Sequence, residues 1–334
     1  MSKMKVAVIY GGRSGEHEVS LVSARYVVEA LNKEKYEVIP IKINKDGSWD
    51  GPIQIYPDPT RNSGLDVVFP VLHGPYGEDG TIQGLLDMAG LPYVGAGVAA
   101  SAAALDKALM RSLFKEAGLP LLPWEVVYRY EWERDTQAVV ERLEASLTYP
   151  LFVKPANLGS SVGISKVKER SELAQAMEIA LEYDRKAVVE QGAVGVREIE
   201  CGVLGYNDLQ ASVPGEVVPA HEFYDYEAKY HSEDSRLIIP APIGPELTER
   251  IQELAMRAFR AVDCSGMGRV DFFLTQQNEI LVNEINTTPG FTPISMYPKL
   301  WESSGLPYSE LLDRLIELAL KRHKERQNLR ISPF

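Results

Sequence analysis

A parallel, doubly wound α/β layer followed by smaller α+β units is the fold class this chain predicts, on three observations. Strand and helix signals alternate through the first hundred residues. At Pro123 the character changes to short strands and helices that form a separate α+β unit. From Arg197 to Phe291 strand-like runs dominate, broken by a long polar loop and one helix.

In chain order, Val6–Tyr10 is an apolar run stopped by Gly11-Gly12, which makes it a first strand rather than a leader. Val19–Leu31 has helical spacing, Glu37–Ile43 and Asp66–Leu72 are strands, and Gly80–Ala89 is a helix. Pro92-Tyr-Val94 is a short strand. A single helix is expected from about Ser101 to Gly118, stopped by Gly118-Leu-Pro120. Trp124–Tyr128, Leu151–Lys154, Gly163–Val167 and Ala187–Glu190 follow as strands, with helices near Thr136–Ser146 and Ser171–Glu182. Helices Glu246–Ala261 and Tyr308–Lys324 complete the reading.

At 334 residues the chain exceeds one ordinary core, and about 150 residues per domain implies two or three domains. A hydrophobic share of 45% beside 25% charged residues is that of a soluble globular protein, and no apolar span is long enough for a membrane helix. Cys201 and Cys264 lie far apart without motif spacing, so neither a disulfide framework nor a zinc site is indicated. A cytoplasmic location follows. The net charge of −12 argues against nucleic acid, because no basic stripe is available to replace counterions. The one basic cluster, Lys321–Arg326, follows an apolar helix and reads as a solvated helix end.

Arg269-Val-Asp-Phe-Phe-Leu and Ile280-Leu-Val-Asn-Glu-Ile-Asn286 are the most informative pair of strands. Folded as a hairpin with an even-length loop centred on Gln277 and Asn278, they place Asp271 opposite Glu284 and Arg269 opposite Asn286. Side chains alternate along a strand, so all four share one face. Two carboxylates across a ladder repel. A hard cation reverses that sign, and carboxylate plus amide oxygens are the ligands Mg²⁺ prefers. The plain alternative is a solvent-facing polar stripe on an edge hairpin.

Three glycine-containing turns carry further chemistry. Lys154-Pro-Ala-Asn-Leu-Gly159-Ser160-Ser161-Val-Gly163 joins two strands through small residues whose N–H groups and hydroxyls suit a polyphosphate; otherwise it is a flexible hairpin. His73 stands just past a strand's carboxyl end, where open α/β sheets bind substrates, although a lone histidine is more often structural. Tyr10-Gly-Gly-Arg-Ser-Gly-Glu16 runs into a helix without the dinucleotide fingerprint; Glu16 is either a dipole-compensating residue or the counter-charge for a substrate ammonium. Lys107 reads as a surface lysine, and His17 as structural. The tyrosine-dense stretch Tyr224–Asp234 is too polar for a core and suits a lid.

Taken together and in this order, these segments resemble the ATP-grasp superfamily and, within it, the D-alanine–D-alanine ligases. Gly-Gly-Arg-Ser-Gly-Glu-His-Glu-Val-Ser, Leu-His-Gly-Pro-Tyr-Gly-Glu-Asp-Gly, Gly-Ser-Ser-Val-Gly, Phe-Tyr-Asp-Tyr-Glu-Ala-Lys-Tyr, Gly-Arg-Val-Asp and Asn-Glu-Ile-Asn-Thr-Thr-Pro-Gly carry the resemblance, which runs from about Val6 to Leu318. It implies a three-domain ATP-grasp fold with an N-terminal Rossmann-like substrate domain at 1–105. A central ATP-grasp subdomain at 106–190, a C-terminal one with metal site and lid at 191–324, and a tail at 325–334 would follow.

The implied activity joins two D-alanine molecules through an acyl phosphate at the expense of ATP. By that resemblance Lys107 and Lys154 contact phosphates, and Ser160 and Ser161 close over them. Glu190, Gln191 and Ala193 bind the adenine edge, and Glu198 holds the ribose. Asp271, Glu284 and Asn286 carry two Mg²⁺ ions, for which Mn²⁺ can substitute. Arg269 and the Gly290 N–H stabilise the oxyanion. Glu16 takes the first D-alanine ammonium and His73 its carboxylate, and Ser295 holds the second carboxylate. Lys229 reaches the transferred phosphoryl group, and Glu16, Ser160 and Tyr230 link lid to floor. A homodimer is implied as well. Two departures stand out: Gln191 replaces a lysine common after the adenine-edge glutamate, and the Glu190–Glu198 spacing is one residue longer than in some members. The competing readings are a D-alanine–D-lactate or D-alanine–D-serine ligase, a non-catalytic nucleotide-binding regulator, and a nicotinamide dehydrogenase.

Overall fold

The computed structural model describes residues 3–218, 236–292 and 294–330. Three sheets organise them. In the first, β1 (Met4–Gly11) is central, parallel to both β2 (Tyr36–Ile43) and β4 (Val67–Val71), with β3 (Trp49–Asp50) at the edge of β2. Every residue of β4 is buried, as expected of a strand covered on both faces. Helices α1 (His17–Ala30) and α2 (Thr81–Met88) accompany this layer. The segment around Tyr93 contributes only an isolated bridge to Val68 rather than a strand.

The expected helix from Ser101 to Gly118 is two helices, α3 (Val98–Leu105) and α4 (Lys107–Glu116). Asp106 separates them: its backbone is extended, and its carboxylate accepts the N–H groups of Ala108 and Leu109. An N-cap of this kind satisfies donors that would otherwise be orphaned, so a new helix starts there. Helical periodicity runs through the break, which is why the sequence reads as one helix.

The second sheet is antiparallel, in the order β5 (Trp124–Tyr128), β8 (Lys186–Gln191), β6 (Leu151–Pro155), β7 (Ser165–Val167). Helices α5 (Arg129–Arg134), α6 (Thr136–Ser146) and α7 (Arg170–Tyr183) belong to this unit, and Val140, Leu143, Met177 and Ala180 share its core. The third sheet runs β12 (Arg236–Ile238), β11 (Gly215–Val218), β9 (Arg197–Gly205), β13 (Gly266–Leu274), β14 (Ile280–Asn286), with β10 (Leu209–Ala211) also paired to β9. Helix α8 (Pro245–Ala261) buries Ile251, Leu254, Ala255, Ala258 and Phe259 against it, and Met110 and Phe114 of α4 join the same core. On the other side of α4, Ala108 packs with Ala156 and Val188 of the second unit. So α4 bridges the second and third sheets.

Helix α9 (Met296–Ser303), absent from the sequence reading, and α10 (Tyr308–Gln327) close the fold. Leu311, Leu315 and Ile316 pack in one core with Val6, Val8 and Phe69 of the first sheet and Met267 of the third. Arg322 fixes the contact: it donates to the Gly95 and Tyr93 carbonyls and to Ser265 Oγ. Among the described residues no helix is long and apolar enough to cross a membrane.

Candidate active site

The β13–β14 hairpin has the anticipated pairing at its functional end, Arg269 opposite Asn286 and Asp271 opposite Glu284. The loop is nevertheless odd in length, because Phe272 pairs with Val282 and Leu274 with Ile280. A β-bulge at Asn283 inserts one extra residue and returns the register to the expected one. The bulge also breaks burial alternation, leaving Asn283 and Glu284 both half-buried. Asp271 and Glu284 therefore face each other as expected, but by two compensating departures from a regular hairpin.

Arg269 lies on the same face. Its Nε and Nη2 donate to Asp271 Oδ1 and Oδ2, each at 2.7 Å, and its Nε is 2.8 Å from Glu200 Oε2. Burial disfavours the charged guanidinium, but the Asp271 and Glu200 carboxylates outweigh it and hold Arg269 protonated well above its ordinary range. Asn286 accepts the Thr288 N–H through Oδ1 at 2.9 Å. Two carboxylates and an amide oxygen on one face form a hard-oxygen set that fits Mg²⁺ or Mn²⁺.

Glu16 and His73 reach the same cavity from the first sheet. Glu16 occupies the N-cap position of α1 after two glycines at φ near +90°, Gly11 and Gly12. Ser14 ties this turn to the end of β4 by donating to the His73 carbonyl at 2.6 Å. His73 is buried, with Nδ1 3.6 Å from Glu78 Oε1 and Nε2 3.4 Å from Ser23 Oγ. Burial opposes its protonation, but the Glu78 and Glu16 carboxylates raise its pKa above the usual value. Ser160 donates to Glu16, which links the Gly159–Gly163 loop to the first sheet. Ser160 and Ser161 both adopt positive φ, 51° and 59°. His17 donates from Nδ1 to the Gly12 carbonyl at 2.6 Å, a structural contact.

Glu16, His73, Ser160, Arg269, Asp271, Glu284, Asn286, Gly290 and Ser295 line one cavity of about 260 Å³. It adjoins a cleft of about 530 Å³ between the second and third sheets, lined by Lys107, Lys154, Ser161, Glu190, Gln191, Ala193 and Glu198. Lys107, Ser160, Glu198 and Glu284 border both spaces. Lys107 is only 8% exposed and donates to the Leu158 carbonyl, so it is not the surface lysine its sequence context suggests. Lys154 Nζ donates to Glu190 Oε2 at 2.6 Å. The Gln191 side-chain oxygen accepts the Thr148 N–H at 3.1 Å. Ser295 Oγ accepts the Thr292 N–H at 3.0 Å, and a Cβ on Gly290 would lie 2.8 Å from that oxygen. Lys229, Tyr230 and the rest of the lid segment lie outside the described residues.

Sequence reasoning missed Glu78, Arg111, Glu200 and Asn283. Arg111 is four residues after Lys107 and so shares its helix face; it is 1% exposed, with Nε 2.7 Å from Glu190 Oε1. Glu200 is two residues after Glu198 on β9, and strand alternation alone puts both on the site face. Nothing local marks the bulge at Asn283.

Gly74 offers a direct test of this packing. Its φ is +70°, and a Cβ there would lie 2.7 Å from Glu16 Oε2. Gly74→Ala is expected to displace the Glu16 carboxylate and lower activity by about tenfold or more, as a misplacement near 1 Å does. Unchanged activity in steady-state assays would show that the position of Glu16 does not matter to the site.

Comparison with known proteins agrees with this geometry. The family model described as D-ala D-ala ligase C-terminus matches residues 113–317, and that for the D-ala D-ala ligase N-terminus matches 5–58 and 50–96. The chain is 52% identical to the D-alanine--D-alanine ligase of Heliobacterium modesticaldum, covering 98% of this chain and 97% of that one. It is 49% identical to the enzyme of the same name from Natranaerobius thermophilus, with the same coverage. Among solved structures, the D-alanine-D-alanine ligase from Coxiella burnetii superposes with a TM-score of 0.87 at 40% identity, covering 98% of this chain and 97% of that one. The VanG D-Ala:D-Ser ligase from Enterococcus faecalis gives 0.87 at 39%, covering 95% and 100%. With matched motifs on a matched scaffold along nearly its whole length, the chain belongs to the D-alanine–D-alanine ligase family.

Proposed function

We propose that the protein joins two D-alanine molecules into D-alanyl-D-alanine, consuming ATP and releasing ADP and phosphate, in the cytoplasm and for peptidoglycan precursor synthesis. One observation carries this reading: a carboxylate and an imidazole from the first sheet share a cavity with an arginine and four carboxylates from the third, beside a lysine-lined cleft. That is the constellation needed to hold a zwitterionic amino acid against a polyphosphate. The curated relatives near 50% identity bear the D-alanine--D-alanine ligase name, which favours D-alanine over D-serine or D-lactate as acceptor. From the family resemblance alone we infer a homodimer.

In this mechanism Glu16 pairs with the ammonium of the first D-alanine, and His73, whose protonation Glu78 and Glu16 favour against the cost of burial, pairs with its carboxylate. That carboxylate attacks the γ-phosphorus of ATP, forming an acyl phosphate as the β–γ phosphoanhydride bond breaks and ADP leaves. Lys107 and Lys154 offset charge on the phosphates, the Ser160–Ser161 backbone and hydroxyls donate to them, and Lys229 follows the transferred group. Glu190, Gln191 and Ala193 border the adenine, the last two through backbone, and Glu198 takes the ribose. Bound at Asp271, Glu284 and Asn286, Mg²⁺ or Mn²⁺ would neutralise phosphate charge as a Lewis acid. The amine of the second D-alanine, its carboxylate held by Ser295, then attacks the acyl phosphate carbonyl. Arg269 and the Gly290 N–H stabilise the oxyanion, and phosphate leaves. We give Tyr230, with Glu16 and Ser160, the task of excluding water from the acyl phosphate.

Phosphate release from ATP tests the reading. It should require D-alanine and not occur with L-alanine or with no amino acid; equal release under all three conditions would refute it. Removing Lys154 should raise the KM for ATP with a smaller change in kcat, because it withdraws a charge that binds ground state and transition state alike. An unchanged KM would remove Lys154 from the phosphate site.

A further inference from the structure

Glu200 lines the cavity, and the mechanism above leaves it without a part. β9 pairs with β13 so that Glu200 opposes Asp271, which in turn opposes Glu284. Three carboxylates thus form a row across three neighbouring strands. Like charges placed directly opposite one another destabilise a sheet unless a cation intervenes. Arg269, two residues along β13 on the same face, is a cation the chain itself supplies. Its Nε–H is donated to Asp271 at 2.7 Å, while Glu200 Oε2 approaches the same nitrogen at 2.8 Å as an ionic contact.

Asp271 cannot serve Arg269 alone if it also binds a divalent cation, since the two then compete for its oxygens. Glu200 is outside that oxygen set and on the opposite side of Asp271 from Glu284. We propose that Glu200 is a positioning residue for Arg269. It retains the guanidinium from the β9 side when Asp271 engages the metal, so that the planar fork stays directed at the reacting carbonyl. This inference rests on the oxyanion role assigned to Arg269.

A double-mutant cycle with full-length protein tests it. Glu200→Ala should lower kcat for ligation about 10- to 100-fold, the cost of misdirecting a catalytic group by roughly 1 Å. ATP affinity by calorimetry and the KM for ATP should stay within about twofold. Glu200→Gln, which keeps an oxygen at the same place, should retain more activity than the alanine variant. In an Arg269→Ala background, Glu200→Ala should add less than about a twofold loss, because the group it positions is gone. Losses that multiply would overturn the proposal while leaving the Arg269 assignment intact. A drop in thermal stability or ATP affinity with kcat unchanged would overturn it in favour of a structural role. Normal ligation by Arg269→Ala alone would instead refute the oxyanion reading and this inference with it.

Discussion

Arg269→Ala is expected to lower ligation by about 10²–10³-fold, the loss seen when one oxyanion donor is removed, while ATP binding stays nearly intact. The guanidinium is held by Asp271 and Glu200 on the face of β13 that lines the amino-acid cavity, and it does not border the lysine-lined cleft. Its removal also strips the counter-charge from three neighbouring carboxylates, so assays belong at saturating Mg²⁺. Arg269→Lys, which restores the charge without the bidentate fork, controls for loss of fold and should recover little ligation. Calorimetry with ATP decides the matter: an affinity that collapses in step with ligation would place Arg269 in nucleotide binding instead.

The largest effect on stability is expected at Arg111. Arg111 and Glu190 are each almost wholly buried, and Glu190 is held between Arg111 Nε at 2.7 Å and Lys154 Nζ at 2.6 Å. Burial alone would raise the Glu190 pKa; Arg111 and then Lys154 reverse this and hold it below the ordinary value of 4.5. Arg111→Met leaves a buried carboxylate without one of its two close cationic partners. A loss of about 3–5 kcal/mol in urea unfolding at pH 7 is expected. The sign with pH follows from the depressed pKa. The stabilisation from Glu190 ionisation is fully present above 4.5 and is lost as pH falls through the lower folded value. The gap between wild type and variant should therefore narrow on acidification. A deficit under about 1 kcal/mol at pH 7, typical of surface changes, would show the pair to be dispensable.

Local sequence carried much of the site because strand alternation is a local rule. Arg269, Asp271, Glu284 and Asn286 could be placed on one face from their spacing, and the described geometry agrees. The same rule would have found Glu200 beside Glu198. It did not reveal the odd loop and the Asn283 bulge, whose effects cancel at the functional end. Lys107 looked like a surface lysine because nothing nearby in sequence buries it. Its burial comes from a loop around Leu158, fifty-one residues away.

By itself, then, the order of residues determined the period of each strand and helix, the polar and apolar faces, and the motifs that mark the family. These depend on neighbours within a few positions, where backbone geometry fixes direction. Only the tertiary structure decided that Arg111 meets Glu190 and that Glu200, Asp271 and Glu284 form one row. Those outcomes depend on which distant segments exclude water together, and burial of a charge is tolerated only where such packing delivers its partner.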